Sequence, residues 1–368
     1  MYLKNLTAVN FKNFQEVVLD CVPRLNCFIG DNGAGKTNLL DAIYYLSFTK
    51  SFFNSVDHMN VRHGENWFML KGFYNRTGKE EEIICSYQES QKKQIKRNSK
   101  AYRKMSEHIG LLPLVMVSPG DSVLIMGGSE ERRRFMDGVI SQFDSGYLHD
   151  LIRYNRVLMQ RNNLLKQVSQ GQAPDVEVID VYDGQLAESG TKIFERRISF
   201  IRDMVPVFQK YYSIISRGVE AVGLEYLSDL SSGPMYDQLK ATYARDRMVQ
   251  YTTAGIHKDD MSLILGDHPM KRIGSQGQQK TYLIALKLAQ FEFIANVSGI
   301  KPILLLDDIF DKLDKNRVEQ IVKLVSGDQF GQIFITDTNR EHLDAILRSV
   351  TSDYRLFMVT NGKTEGVS

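Results

Sequence analysis

Gly30-Asp31-Asn32-Gly33-Ala34-Gly35-Lys36-Thr37 has the residue types and spacing to hold a polyphosphate. It fits G-x-x-x-x-G-K-[ST], in which glycines let the backbone curl until several N–H groups point into one concavity. In such a loop Lys36 reaches the β- and γ-phosphates and the Thr37 hydroxyl ligates Mg²⁺. About 270 residues later, Ile303-Leu304-Leu305-Leu306 runs into Asp307-Asp308. Two adjacent acids at the end of an apolar strand are costly to bury without a cation. Asp307 is placed to hold the Mg²⁺ that Thr37 ligates, and Asp308 to polarise the attacking water. Read alone, each segment has a plainer explanation, a glycine turn or a solvated acidic loop; together they describe one nucleoside-phosphate site.

The elements around these residues are those the chemistry needs. Leu25, Cys27, Phe28 and Ile29 predict a buried strand entering the loop. Leu39, Leu40, Ile43, Tyr44 and Leu46 recur at helical spacing after it, so a helix N-terminus faces the phosphates. Strands are expected at 1–20 (a pair turning near Asn13), 67–70, 83–87, 111–117, 261–265, 303–306, 333–336 and 356–359. Between about 129 and 216 the rhythm becomes helical. Two long antiparallel helices, joined by the turn Gly171-Gln172-Ala173-Pro174 and with Pro206 in the second, are the simplest reading. They form either a packed lobe or a partner-binding arm. A helix over 275–295 opens with Gly274-Ser275-Gln276-Gly277-Gln278, a second N-terminus able to face a phosphate.

Composition narrows the class. With 368 residues, 43% apolar and 24% charged, the chain has room for two domains or one large domain with an insertion. The formal net charge is only +2, so a nucleic-acid surface has to be local. One such patch is 91–104, with Lys92, Lys93, Lys96, Arg97, Lys100, Arg103 and Lys104 around a turn at Asn98-Ser99. It reads equally as a phosphate-contacting ribbon or as a sheet edge guarded by lysines. Arg132-Arg133-Arg134 is a second candidate. Three cysteines without a C-x-x-C pair predict no disulfide framework and a reducing, cytoplasmic location. No run approaches the roughly 18–20 apolar residues of a membrane span, and no secretory leader is evident. No N-K-x-D base-reading element accompanies the loop, which argues against a compact GTPase.

The motif order, phosphate loop, Ser-x-Gly-Gln helix, Leu-Leu-Leu-Asp-Asp and then Asp311-Lys312-Leu313-Asp314, resembles the ABC-type ATPase head. Within that superfamily the chain is similar to the RecF family, relatives of the SMC-type chromosome proteins. The resemblance rests on Leu6–Phe14, Ile95–Asn98, Gly110–Val115, Gly128–Asp137, Asp183–Gly190, Gly255–Asp260 and Ser275–Lys280 with the acidic pair. It implies an α/β ABC-type P-loop head with an inserted helical lobe, divided as 1–120, 121–240 and 241–368.

It further implies ATP and Mg²⁺ as cofactors, with nucleotide contacts from Gly30, Asp31, Asn32, Gly33, Ala34, Gly35, Lys36, Thr37, Asn38 and Lys12. Ser275, Gly277 and Gln278 of a second copy would close on the γ-phosphate, so that ATP drives a homodimer. The implied partners are double-stranded DNA and duplex–single-strand junctions, contacted by Lys92, Lys93, Lys96, Arg97, Arg132 and Arg133. RecR, with RecO and the RecA recombinase, completes the pathway. The departures are Lys12 for an arginine, Gly120 for a glutamate, Ile256 and Lys258 for proline and arginine, and Asp308 for the transporters' glutamate. Thr336-Asp337-Thr338 stands where many heads carry a γ-phosphate-sensing histidine. Slow basal hydrolysis is expected. A transporter ATPase subunit and a protein-only ATP-switched scaffold are the competing classes.

Overall fold

The computed structural model describes residues 1–54, 56–169, 176–218, 220–310, 313–338 and 354–367. The chain separates into two compact units, Met1–Asp121 with Tyr211–Val219 and Ser275–Ser368, and Ser122–Lys210 with Glu220–Gly274. Among the described residues no helix is long and apolar enough to cross a membrane.

The first unit holds two six-stranded sheets. One runs in the order Lys363–Val367, Tyr354–Thr360, Leu25–Ile29, Ile333–Asp337, Ile303–Asp307, Leu114–Val117, parallel except for its first strand. Its four strands from Leu25–Ile29 to Leu114–Val117 are buried at every residue. That explains their unbroken apolar sequence, since a parallel sheet is covered on both faces. The other sheet is antiparallel and begins with the hairpin Tyr2–Phe11 and Phe14–Asp20 expected from sequence. It continues through Trp67–Arg76 and Lys79–Gln88 to the basic hairpin Gln94–Arg97 and Lys100–Ala101. Asn98 and Ser99 both have positive φ, 48° and 67°, the conformation a two-residue hairpin turn requires. The helix Lys36–Phe48 touches strands of both sheets. Its Leu39, Leu40, Ile43, Tyr45 and Leu46 join the core that both sheets share.

The second unit contains the helices Ser129–Ile140, Ser145–Ser169 and Met235–Val249, and residues up to Lys210 of the helix Val176–Ser216. Pro206 lies inside that last helix. The turn expected at 171–174 lies outside the described residues. A three-stranded sheet, Val222–Leu227, Asp260–Leu265 and His268–Pro269, belongs to the same unit. The insertion therefore ends at Gly274, not at 240, and is not wholly helical. Two contacts fix this. Val222–Leu227 pairs antiparallel with Asp260–Leu265. Arg161 is fully buried between Asp183 at 2.6 Å and Asp246 at 2.7 Å, joining the helical pair to the later helix.

The blocks Gly128–Asp137 and Gly255–Asp260, on which the resemblance partly rests, build this unit. Arg132 forks onto both oxygens of Asp260 at 2.7 and 2.8 Å, and Arg133 donates to the Asp259 carbonyl at 2.5 Å. Buried Arg197 bridges Asp137 at 2.8 Å and Asp259 at 3.1 Å. His257 lies between the Thr252 carbonyl, 3.0 Å from Nε2, and the Tyr154 hydroxyl, 2.8 Å from Nδ1. Because a carbonyl only accepts, Nε2 carries the proton and Nδ1 accepts from Tyr154. Burial pushes this imidazole down to about 4, so it stays neutral in that role.

Candidate nucleotide site

The phosphate loop takes its shape from its surroundings as much as from its own glycines. A Cβ on Gly30 would stand 2.1 Å from the Val359 carbonyl oxygen, and one on Gly35, at φ 117°, would meet Asn13 at 2.5 Å. Asn13 holds the loop from outside, donating to the Ala34 carbonyl at 3.0 Å and accepting from Asn38 at 2.7 Å. Gly362 donates to the same carbonyl at 3.1 Å. Gly35 caps the helix without a side chain, so no cap side chain competes with an anion for the N–H groups at its start. The Lys36 ammonium donates to the loop's own Gly30 and Asp31 carbonyls at 2.7 and 2.9 Å. Burial lowers its pKa, opposed chiefly by Asp308 and Asp307.

Sheet register brings the acids to this loop. Ile333–Asp337 pairs with both motif strands, aligning Thr336 with Asp307 on one side and with Phe28 on the other. The Thr37 hydroxyl lies 2.9 and 3.1 Å from the two oxygens of Asp307. Burial raises the Asp307 carboxyl above the usual carboxylate range, while hydrogen bonds from Thr336 and Thr37 pull it back. A hydroxyl beside a buried carboxylate is a fitting donor set for a hard divalent cation that takes its remaining oxygens from water and phosphate. Asp308 follows at φ 48°, a left-handed turn that ends the strand at the cleft. A cleft of about 180 Å³ opens between Gly33, Lys36, Thr37 and Asn38 on one wall and Asp307, Asp308, Thr336 and Thr338 on the other.

Other expected contacts lie elsewhere. Lys12 is paired at 2.5 Å with Asp41, a fully buried carboxylate that also accepts from Ser51 and the Phe52 N–H. A carboxylate so enclosed needs a cation, and Lys12 supplies it. Ser275 is exposed and closes a capping box, its hydroxyl accepting from the Gln278 N–H at 3.3 Å while the Gln278 side chain accepts from the Ser275 N–H at 2.7 Å. Ser275, Gly277 and Gln278 do not line the cleft of their own chain. Asp311 and Lys312 lie outside the described residues.

Of the charges assigned to DNA, four are engaged in the fold. Lys93 pairs with Asp57 at 2.8 Å and Arg97 with Glu81 at 2.5 Å, alongside Arg132 and Arg133 above. Lys92, Lys96, Lys100, Arg103 and Lys104 carry no ion pair among the described residues, and all but Lys96 are exposed. Asn13 and Gly362 were not singled out from sequence as site residues, and Thr336 only as part of the stretch that stands in place of a histidine. Asn13 falls within the Leu6–Phe14 block and passed for a turn residue. Nothing marks Gly362.

Comparison with known proteins places this geometry. Residues 2–365 match the family described as RecF/RecN/SMC N terminal domain. The chain is 54% identical over 363 residues to the DNA replication and repair protein RecF of Bacteroides fragilis (strain YCH46), spanning 98% of this chain and 97% of that one. Identity to the RecF of Flavobacterium johnsoniae (strain UW101) is 48% over 357 residues, 97% and 99% of the two chains. Among solved structures, the recombination mediator protein RecF with ATP, of the RecFOR pathway, superposes with a TM-score of 0.89 at 29% identity, covering 100% of this chain and 98% of the other. An SMC head bound to the C-terminal winged-helix domain of ScpA reaches 0.59 at 16% identity over 100% and 97%, a likeness of fold alone. The α/β ABC-type ATPase head expected from the motifs is the fold found.

Proposed function

Because this chain belongs to the RecF/RecN/SMC family and aligns almost end to end with relatives named RecF, we propose that it is an ATP-dependent DNA-binding protein of replication and recombinational repair. ATP drives two copies together on double-stranded DNA and at duplex–single-strand junctions, and slow hydrolysis releases them. In this role it works with RecR and RecO to help load the RecA recombinase. The observation that carries the reading is the Thr37 hydroxyl resting on Asp307 across 270 residues. That contact assembles a nucleotide site from both ends of the chain.

In this mechanism the loop N–H groups and Lys36 bind the phosphates. Thr37 and Asp307 would hold Mg²⁺, which when bound neutralises phosphate charge and orients the β- and γ-oxygens. Asp308 orients the attacking water and accepts its proton. Ser275 of a second copy supplies the facing helix N-terminus. Its exposure and its absence from its own chain's cleft support this division of labour. Only ATP presents the γ-phosphate that both copies grip, so ADP does not sustain the dimer.

Light scattering tests the scheme directly: the mass doubles with ATP and Mg²⁺ and stays monomeric with ADP. Ser275→Arg keeps nucleotide affinity within about twofold in the monomer yet blocks the doubling. Equal dimerisation by ADP, or by the arginine variant, contradicts the proposal.

DNA binding is assigned to the unpaired charges of the hairpin 92–104. Phosphate contacts release counterions, so gel-shift affinity for a gapped duplex falls steeply with salt and shows little sequence preference. Each lost phosphate contact lowers the log–log salt slope by about 0.9. Lys92→Ala, Lys96→Ala and Lys100→Ala combined therefore flatten it by up to about 3. A slope identical to wild type moves the DNA surface elsewhere.

A further inference from the structure

One buried hydroxyl ties the two acids together. Thr336 is wholly inaccessible, and its Oγ1 donates to Asp307 Oδ1 at 2.8 Å. The same oxygen accepts the Asp308 N–H at 3.0 Å. A threonine hydroxyl has a single proton to give, and here it goes to Asp307. Asp308 has a φ of 48°, a conformation that costs a non-glycine residue energy and persists only where neighbours hold it. Its N–H bond to Thr336 is such a hold. The strand carrying Thr336 pairs in parallel with both motif strands, so a displacement of either one is felt at this hydroxyl.

Resting on the proposed ATPase reading, we infer that Thr336 is a positioning residue for hydrolysis. It sets the Asp307 carboxylate for the cation and fixes the backbone turn that aims Asp308 at the attacking water, without itself touching nucleotide. It also accounts for part of what the sequence left unassigned where other heads carry a histidine. The loop and Lys36, which bonds to the Gly30 and Asp31 carbonyls, make no bond to it, so binding of the phosphates and their conversion respond differently to its loss.

The test uses the full chain and two substitutions, Thr336→Val, which keeps the shape and removes the hydroxyl, and Thr336→Ser, which keeps the hydroxyl. Affinity for a fluorescent ATP analogue is measured in EDTA and across a Mg²⁺ titration, together with kcat and KM for ATP. Thr336→Val is expected to bind the analogue in EDTA within about twofold of wild type. It should need several-fold more Mg²⁺ for half-maximal retention and lose tenfold or more in kcat with KM little changed. Thr336→Ser restores both. Wild-type kcat and Mg²⁺ dependence in Thr336→Val overturn the inference, as does an equal loss of affinity in EDTA or a failure of Thr336→Ser to rescue. If Thr336→Val does not fold, Thr336→Cys, a weak donor of similar size, takes its place under the same criteria. A wild-type chain that neither binds nor hydrolyses ATP removes the ATPase reading itself, a result distinct from any of these.

Discussion

Lys36→Ala is expected to lower affinity for ATP at least a hundredfold, about 2.8 kcal/mol, and to abolish ATP-dependent dimerisation with it. Among the described residues lining the cleft the ammonium is the one side-chain cation, and hydrogen bonds to charged partners are the strong kind. It is ordered by its bonds to the Gly30 and Asp31 carbonyls and partly desolvated, which lowers the cost of meeting a phosphate. Those two carbonyls are its only hydrogen-bond partners among the described residues, so the fold does not hinge on it. Calorimetric titration and light scattering on the same sample check the prediction, with a melting curve close to wild type as the control. Retained dimerisation with ATP would separate the switch from this loop.

Asp308→Asn is expected to do the opposite to the dimer. Asparagine tolerates a left-handed backbone, so the turn at φ 48° survives the exchange. What disappears is the proton acceptor, and removing a positioned general base costs about 10²–10⁴ in rate. ATP still binds, the two copies still close, and the complex accumulates because hydrolysis no longer opens it. Single-turnover kinetics and size-exclusion chromatography with ATP read the two effects separately. A variant that stays monomeric with ATP refutes the role assigned to Asp308.

The nucleotide half of this molecule was legible because its chemistry needs particular residue types in short contiguous runs. Gly30–Thr37 and Leu304–Asp308 each carry their own strand, turn and functional group. Charges were read less well, for a physical reason. Lys12, Lys93, Arg97, Arg132 and Arg133 each meet an acid or a carbonyl distant in sequence, from 16 residues for Arg97 and Glu81 to 128 for Arg132 and Asp260. Periodicity carries no information about such pairings. The end of the inserted unit was misplaced for the same cause. Antiparallel pairing of Val222–Leu227 with Asp260–Leu265 joins two short strands across an intervening helix, and neither strand announces its partner. Thr336 and Asn13 act through hydrogen bonds to residues distant in sequence, which only coordinates reveal.

The strand that leads into the phosphate loop, Leu25–Ile29, is flanked on one side by Ile333–Asp337 and on the other by Tyr354–Thr360. Both neighbours are made some 300 residues later during synthesis, about 15–60 s at typical ribosome speeds. A nascent chain therefore carries the loop's sequence long before it can hold the loop's conformation, and its central apolar strand waits unpaired in the interval. A chain cut short before Ile333 lacks both strands that flank Leu25–Ile29, and is expected not to retain nucleotide.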